Sequence, residues 1–101
     1  MTSRLNKQDN TSKSEQAWFL YIVVCSDSSL YTGITTDIDR RLYEHNYTKK
    51  GAKYTRSRRP VQLRYCATYK SRSTAAKAEA SIKKLKRADK LILCKSLKRA
   101  L

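Results

Sequence analysis

The stretch that decides the fold is residues 18–35, WFLYIVVCSDSSLYTGIT. Its first eight residues are apolar without alternation, which is typical of a β-strand buried on both faces. The turn formers at residues 26–29 interrupt the apolar run, and residues 30–35 resume with aromatic and β-branched side chains. The stretch therefore predicts two antiparallel strands joined by a short turn.

The helix predicted after this hairpin carries two polar residues where apolar ones are expected. It is capped by Thr36 or Asp37 and runs to about Tyr47. At 100° per residue, its inward stripe consists of Ile38, Arg41, Leu42 and His45. A cation and an imidazole thus share the face that should meet the core. Both are candidate functional residues, although a lone histidine is more often structural.

The remaining chain predicts one more strand and two more helices. Residues 48–59 are expected to form a basic loop, and residues 61–69 alternate well enough for a third strand. A helix capped by Ser71 or Ser73 should reach about Arg87, with an inward stripe of Ala75, Ala78, Ile82 and Leu85. A last helix from about Asp89 should turn inward Leu93, Cys94, Leu97 and Leu101. The predicted fold class is α+β, a small sandwich with helices packed on a three-stranded antiparallel sheet, in the order β-β-α-β-α-α.

The length and composition fit one domain. We expect residues 1–16 to be a disordered polar lead-in and residues 17–101 to form the domain. No apolar run approaches the roughly 20 residues of a membrane span, and the first residues lack the apolar stretch of a secretory signal. We therefore expect an intracellular protein, cytoplasmic, or nuclear if it comes from a eukaryotic host or a virus. The three cysteines, Cys25, Cys66 and Cys94, are expected to be reduced core residues rather than disulfide partners or zinc ligands.

The net charge points to nucleic acid as the partner. The chain carries +15, but residues 1–48 hold five Lys/Arg against six Asp/Glu, whereas residues 49–101 hold eighteen against two. Residues 49–101 are thus the part of the chain expected to bind phosphate groups. A basic membrane-surface patch is disfavoured because no amphipathic helix presents Trp or Phe on its apolar face. The side chains expected to grip the phosphate backbone are Lys49, Lys50, Lys53, Arg56, Arg58 and Arg59, with Tyr54 available to stack on a base.

Four features could join into one chemical site. Tyr31 precedes Gly33, which marks either a bulge or a place where a ligand comes close to the backbone. Arg41 and His45 share a helix face, and Glu79 lies at the edge of an apolar stripe in a region rich in cations. Each has an ordinary structural alternative: a sheet aromatic, a helix pair, and a glutamate paired with the lysine four residues later.

These residue types permit hydrolysis of a phosphodiester with one metal ion. A metal requires a carboxylate or similar oxygen ligand, which Glu79 supplies. An arginine suits the charge of a pentacovalent phosphate, and Arg41 is the candidate. A base must take a proton from water, and Tyr31 or His45 could do so. We find no second carboxylate well placed for a second metal ion.

The combined spacing resembles the GIY-YIG nucleases. Tyr21, in the run Phe-Leu-Tyr, stands where that family has the tyrosine of its first motif, and residues 31–33, Tyr-Thr-Gly, correspond to the second motif. Arg41 follows Tyr31 by ten positions and His45 follows Arg41 by four, as in the family's first helix. Glu79 matches the family's metal-binding glutamate.

The resemblance covers about residues 17–93 and is greatest to small stand-alone members, which are related to the nuclease module of the bacterial excision-repair incision subunit. The run Gly-Ala-Lys-Tyr-Thr-Arg at residues 51–56 and the pair Arg59-Pro60 contribute to it. Three positions depart from the pattern. The first motif is Phe-Leu-Tyr instead of Gly-Ile-Tyr, Ile34 stands where the repair enzyme has lysine, and residues 90–92 lack the asparagine of many members.

The resemblance implies a mechanism. Glu79 holds Mg²⁺ or Mn²⁺, Arg41 binds the phosphate, and Tyr31, together with Tyr21 and His45, orients or deprotonates the attacking water. The expected substrate is DNA rather than RNA, with a homodimer or a protein partner supplying specificity. The alternative, suggested by the missing asparagine and lysine, is a protein that keeps the fold and binds nucleic acid without cutting it.

Overall fold

The computed structural model describes residues 16–100 and the side chains of residues 16–95. The first fifteen residues of the lead-in predicted for residues 1–16, and the predicted inward placement of Leu97 and Leu101, lie outside that part. The elements in chain order are strands β1 (Trp18–Val24) and β2 (Leu30–Thr35), helices α1 (Ile38–Tyr47) and α2 (Lys53–Arg56), strand β3 (Gln62–Tyr69), and helices α3 (Arg72–Lys83) and α4 (Arg87–Ala100).

The three strands form one antiparallel sheet in the order β2-β1-β3. The predicted α+β fold class is confirmed, with one addition: the basic loop contains the single helical turn α2. In the central strand β1, the consecutive residues Leu20, Tyr21, Ile22 and Val23 are all buried. Because successive side chains point to opposite faces of the sheet, both faces of β1 are covered, and this burial explains the unbroken apolar run.

Helices cover the sheet and carry the site. Helix α1 directs Ile38 and Leu42 against a core cluster that contains Tyr21 and Val23. Helix α3 packs against β1 and β2, and α4 packs against β3. The cap of α1 is Asp37, whose side chain accepts a hydrogen bond from the backbone N–H of Arg40.

The end of α3 differs from the prediction. Ser71 caps the helix, as predicted, and forms a capping box with Thr74, but the helix ends at Lys83 rather than near Arg87. Leu85 consequently lies in the connection to α4 and is 37% exposed, so its predicted inward placement is wrong. The last helix begins at Arg87, two residues before the predicted start.

All three cysteines are free, as expected, with Cys25 and Cys94 buried and Cys66 half-buried. Within residues 16–100, no helix is long and apolar enough to cross a membrane.

Candidate active site

Tyr21 lies at the centre of the site. Its side chain is only 2% exposed, and it faces Gly33 directly across the antiparallel pair formed by β1 and β2. A Cβ atom on Gly33 would lie 2.5 Å from the Tyr21 hydroxyl oxygen and 2.7 Å from Cζ. Gly33 is therefore needed to make room for the phenol. This steric role explains the Tyr-x-Gly spacing without a ligand close to the backbone.

A chain of buried hydrogen bonds runs from Tyr21 into the basic loop. The Tyr21 hydroxyl oxygen lies 2.8 Å from Nε2 of His45, and Nδ1 of His45 lies 2.8 Å from Oγ1 of Thr55. The Thr55 hydroxyl in turn donates to the carbonyl oxygen of Ala52 at 2.9 Å. His45 and Thr55 are both 0% exposed. The imidazole therefore connects the sheet to the loop and has no contact with solvent.

These bonds favour one direction of proton donation. Because Thr55 gives its single hydroxyl proton to Ala52, Nδ1 of His45 carries a proton and donates it to Thr55, and Nε2 accepts from Tyr21. The backbone N–H of Ala52 also faces Nδ1, at 3.4 Å, which would favour the opposite tautomer. The three shorter bonds are mutually consistent, so we assign the proton to Nδ1.

Burial keeps both groups uncharged. Desolvation, followed by the positive charge of Arg41, lowers the pKa of His45 to about 4. Desolvation raises the pKa of Tyr21 to about 12, although a hydrogen bond from Arg41 acts in the opposite direction. At neutral pH the pair is therefore a neutral phenol bonded to a neutral imidazole.

Arg41 is held in place by contacts on three sides. Its Nη1 atom donates to Oε1 of Glu44 at 2.9 Å and to the carbonyl oxygen of Lys50 at 2.8 Å. Its guanidinium also hydrogen-bonds to the Tyr21 phenol. The side chain retains 24% exposure. Arg41 is thus a fixed, permanently charged group beside the tyrosine and still accessible from outside.

Tyr31 is the half-buried tyrosine of the site. Its ring centroid lies 5.4 Å from that of His45, 6.4 Å from that of Tyr21 and 6.0 Å from that of Tyr54. The residue also lines an open hollow of about 240 Å³. Of the two tyrosines predicted to take part in catalysis, Tyr31 lines this hollow and Tyr21 does not.

Glu79 lies on the side of the molecule that carries Tyr21. Its negative charge is one of the minor causes that raise the pKa of the Tyr21 phenol, after burial and the other charged neighbours. The Glu79 side chain is 22% exposed, and its Oε2 atom pairs with Nζ of Lys83 at 3.1 Å. The ordinary alternative of a glutamate paired with the lysine four residues later is therefore present. The pairing leaves the other carboxylate oxygen outside the ion pair.

The donor set fits a hydrated divalent ion rather than a fully protein-bound one. In residues 16–95, no group of three or more His, Cys, Asp or Glu side chains could hold a metal ion. Mg²⁺ keeps several waters and is commonly bound by one or two carboxylates together with substrate phosphate oxygens. A half-buried carboxylate beside an open hollow meets that requirement.

The six cations predicted to grip a phosphate backbone fall into two groups. The side chains of Lys49, Lys50, Lys53 and Arg56 are exposed. Arg58 and Arg59 are partly buried and bound to the protein itself. The side chains of the first group face solvent, although Arg56 also donates a hydrogen bond to the carbonyl oxygen of Lys49 at 3.3 Å, whereas the second group supports the loop.

Arg58 contacts Tyr54 and Asp27, whereas Arg59 binds the C-terminal end of α1. The guanidinium of Arg58 lies 3.9 Å from the centroid of Tyr54 and pairs with Oδ2 of Asp27 at 3.0 Å. Arg59 donates to the carbonyl oxygens at the end of α1, those of His45 at 2.6 Å, Glu44 and Thr48. A cation there complements the helix dipole. Because Tyr54 contacts both Arg58 and Tyr31, its ring is less free to stack on a base than predicted.

Sequence reasoning overlooked Glu44, Thr55 and Asn46. Glu44 follows Arg41 by three positions, a spacing that brings helical side chains together and that could have revealed the pair. Thr55 gave no such signal, because its partner His45 is distant in sequence. The Asn46 side chain accepts from the N–H of Val61 at 2.7 Å and donates to its carbonyl at 3.1 Å. Asn46 thereby fixes the entry to β3.

The fold and the site define a small α+β domain that combines a neutral tyrosine–histidine pair, an ordered arginine, the partly exposed Glu79 and a basic loop. Residues 17–92 match the family model described as the GIY-YIG catalytic domain, and the chain belongs to this family. The family is one of nucleases. Membership supports endonuclease activity in general and implies nucleic acid as the partner.

Individual relatives agree with this assignment. The chain is 58% identical over 80 residues to a UPF0213 protein of Desulfotalea psychrophila, which covers 79% of this chain and 73% of that protein. It is 54% identical over 77 residues to a UPF0213 protein of Syntrophus aciditrophicus, covering 76% and 88%. The solution NMR structure of the protein EF2693 from E. faecalis matches with a TM-score of 0.56 and 41% identity, over 83% of this chain and 88% of that one.

Proposed function

We propose that the protein is a divalent-metal-dependent endonuclease that hydrolyses a DNA phosphodiester by a one-metal mechanism. The observation that carries this proposal is the convergence of Tyr21, Tyr31 and Arg41 on one side of the sheet, with the charge of Glu79 acting on the same phenol. A permanent cation, an accessible phenol and an oxygen ligand for a metal are the groups that phosphodiester hydrolysis requires.

Tyr31 is proposed as the group that orients the attacking water through its phenol oxygen. Its position on the open hollow supports this role. His45 is 0% exposed and both of its ring nitrogens are engaged, which supports a positioning role for the histidine. Tyr21 is then the residue through which His45 acts, because its phenol contacts both the imidazole and Arg41.

Arg41 is proposed to bind the scissile phosphate as negative charge grows on its oxygens. Its contacts with Glu44 and with the Lys50 carbonyl fix the guanidinium before the substrate arrives, so little reorganisation is required at the moment of reaction. Glu79 would hold Mg²⁺ or Mn²⁺, which supplies Lewis-acid stabilisation of the phosphate when bound. The exposed cations Lys49, Lys50, Lys53 and Arg56 would hold the flanking backbone.

The test compares cleavage by the wild-type protein, Glu79→Gln and Asp89→Asn. Each variant removes one negative charge, but Asp89 is exposed in α4 and takes no part in the proposed site. Supercoiled and branched DNA are incubated with Mg²⁺ or Mn²⁺. We expect the wild type and Asp89→Asn to cut at similar rates and Glu79→Gln to lose activity while still binding DNA. Equal cleavage by all three proteins would contradict the assigned role of Glu79.

A non-catalytic nucleic-acid-binding protein is the second candidate. The observation that favours it is the ion pair between Glu79 and Lys83, which occupies a carboxylate oxygen that a metal would need. In that case the wild type and Glu79→Gln bind DNA alike and neither cuts any substrate. Under either function, a domain this small would take its specificity from the structure of the DNA, a second copy of the chain or a protein partner.

A further inference from the structure

The hollow beside Tyr31 is lined by two lysines that have no role in the mechanism above. Its volume is about 240 Å³, and its lining residues are Leu30, Tyr31, Thr32, Tyr54, Lys83 and Lys90. Strand β2 supplies the first three, α2 supplies Tyr54, and the two lysines come from α3 and α4. Two helices that follow the basic loop in the chain therefore bring positive charge to the same small space.

The chemistry of this hollow suits one nucleotide. Leu30 and the rings of Tyr31 and Tyr54 offer apolar surface to a sugar or a base, and the lysines offer ammonium groups to a phosphate. We propose that the hollow binds the nucleotide next to the scissile phosphate, with Lys83 and Lys90 contacting its phosphate group. This inference rests on the proposed function, because Tyr31 joins the hollow to the proposed reaction centre.

Cations adjoin the proposed reaction centre in two places. The Lys50 carbonyl accepts a hydrogen bond from Arg41, so the exposed turn that carries Lys49 and Lys50 adjoins the guanidinium. Lys83 and Lys90 line the hollow beside Tyr31. A strand whose scissile phosphate meets Arg41 and Tyr31 would therefore pass close to both pairs of lysines.

Lys83 is coupled to the proposed metal ligand. Its Nζ lies 3.1 Å from Oε2 of Glu79, and its side chain is 53% exposed. A divalent ion on Glu79 would compete with the ammonium for the carboxylate, and the released lysine would face the hollow. The contribution of Lys83 to DNA binding should therefore be larger with a divalent ion than without one, whereas that of Lys90 should be the same in both conditions.

The test measures DNA binding rather than cleavage. The variant Lys83→Gln/Lys90→Gln is compared with Lys77→Gln/Lys84→Gln, which removes the same charge from exposed lysines that do not line the hollow. Affinity for a labelled DNA duplex is followed by fluorescence anisotropy as a function of salt, in EDTA and in Ca²⁺. Thermal denaturation verifies that both variants fold.

We expect the hollow variant to lose about 1.8 from the slope of log K against log salt in Ca²⁺, since each phosphate contact contributes about 0.9 on duplex DNA. The control should lose much less. Single variants should show that the effect of Lys83→Gln grows when Ca²⁺ replaces EDTA. Equal slopes for the two double variants, in a protein whose wild type binds and cuts DNA, would overturn the subsite alone. A wild type that fails to bind DNA would overturn both this inference and the proposed function.

Discussion

The burial of the single histidine makes the stability of this protein sensitive to mild acid. His45 is 0% exposed, and desolvation together with Arg41 lowers its pKa from 6.5 to about 4. In the unfolded chain the imidazole of His45 is protonated near pH 6.5, whereas in the folded protein it stays neutral until about pH 4. The free energy of unfolding is therefore highest above pH 6.5 and decreases as the pH falls toward 4. At about 1.4 kcal/mol for each pKa unit, the loss amounts to about 3 kcal/mol.

Urea denaturation at several pH values between 7.5 and 4 measures this loss directly. Because the chain has only one histidine, His45→Gln removes the imidazole titration entirely and should flatten the pH dependence in this window while lowering stability throughout. Hydrogen bonds from Ser29 are the chief cause that lowers the pKa of Asp27 from 3.8. The contribution of Asp27 to stability is therefore lost below pH 3.8, outside the range of this experiment. An NMR titration of the native imidazole provides a second readout. An inflection near pH 6.5 in the folded protein would refute the reasoning.

Two further predictions test the roles of single residues. Gly33→Ala should lower the free energy of unfolding by about 1–3 kcal/mol and reduce cleavage, because its Cβ would lie 2.5 Å from the Tyr21 hydroxyl oxygen. Wild-type thermal stability in this variant would contradict the close packing of Gly33 against Tyr21. Arg59→Gln should cost about 2 kcal/mol of stability with little change in the salt dependence of DNA binding, because Arg59 caps α1. Arg56→Gln should leave stability intact but lower the salt slope by about 1; the reverse pattern would place Arg59 on the substrate.

The fold could be predicted from sequence because each element carries its own local signal. The unbroken apolar run of β1 indicated a strand buried on both faces, and the second strand, Leu30–Thr35, begins and ends where predicted. The prediction failed where apolar periodicity continued past a helix end: Leu85 keeps the spacing of the α3 stripe, yet the helix stops at Lys83. Periodicity alone does not show where backbone hydrogen bonding ends.

The site was less predictable because its contacts join residues that are distant in the chain. The motif spacing selected Tyr21, Tyr31, Arg41, His45 and Glu79, and the structure gathers Tyr31, Arg41 and His45 around Tyr21. The sequence could not separate loop cations that meet solvent from those that hold the loop itself. That separation depends on which backbone carbonyls lie within reach of each guanidinium, and only the folded chain determines it.

The attachment of residues 48–55 to the core has a consequence for evolution and engineering. Gly51 packs so closely on α1 that a Cβ atom would lie 2.7 Å from the Glu44 carbonyl oxygen, and Thr55 is bonded to His45. The conformational entropy of this segment is therefore lost during folding and not on association, which favours tight binding by a rigid surface. Substitution of either Gly51 or Thr55 should therefore alter affinity and melting temperature together.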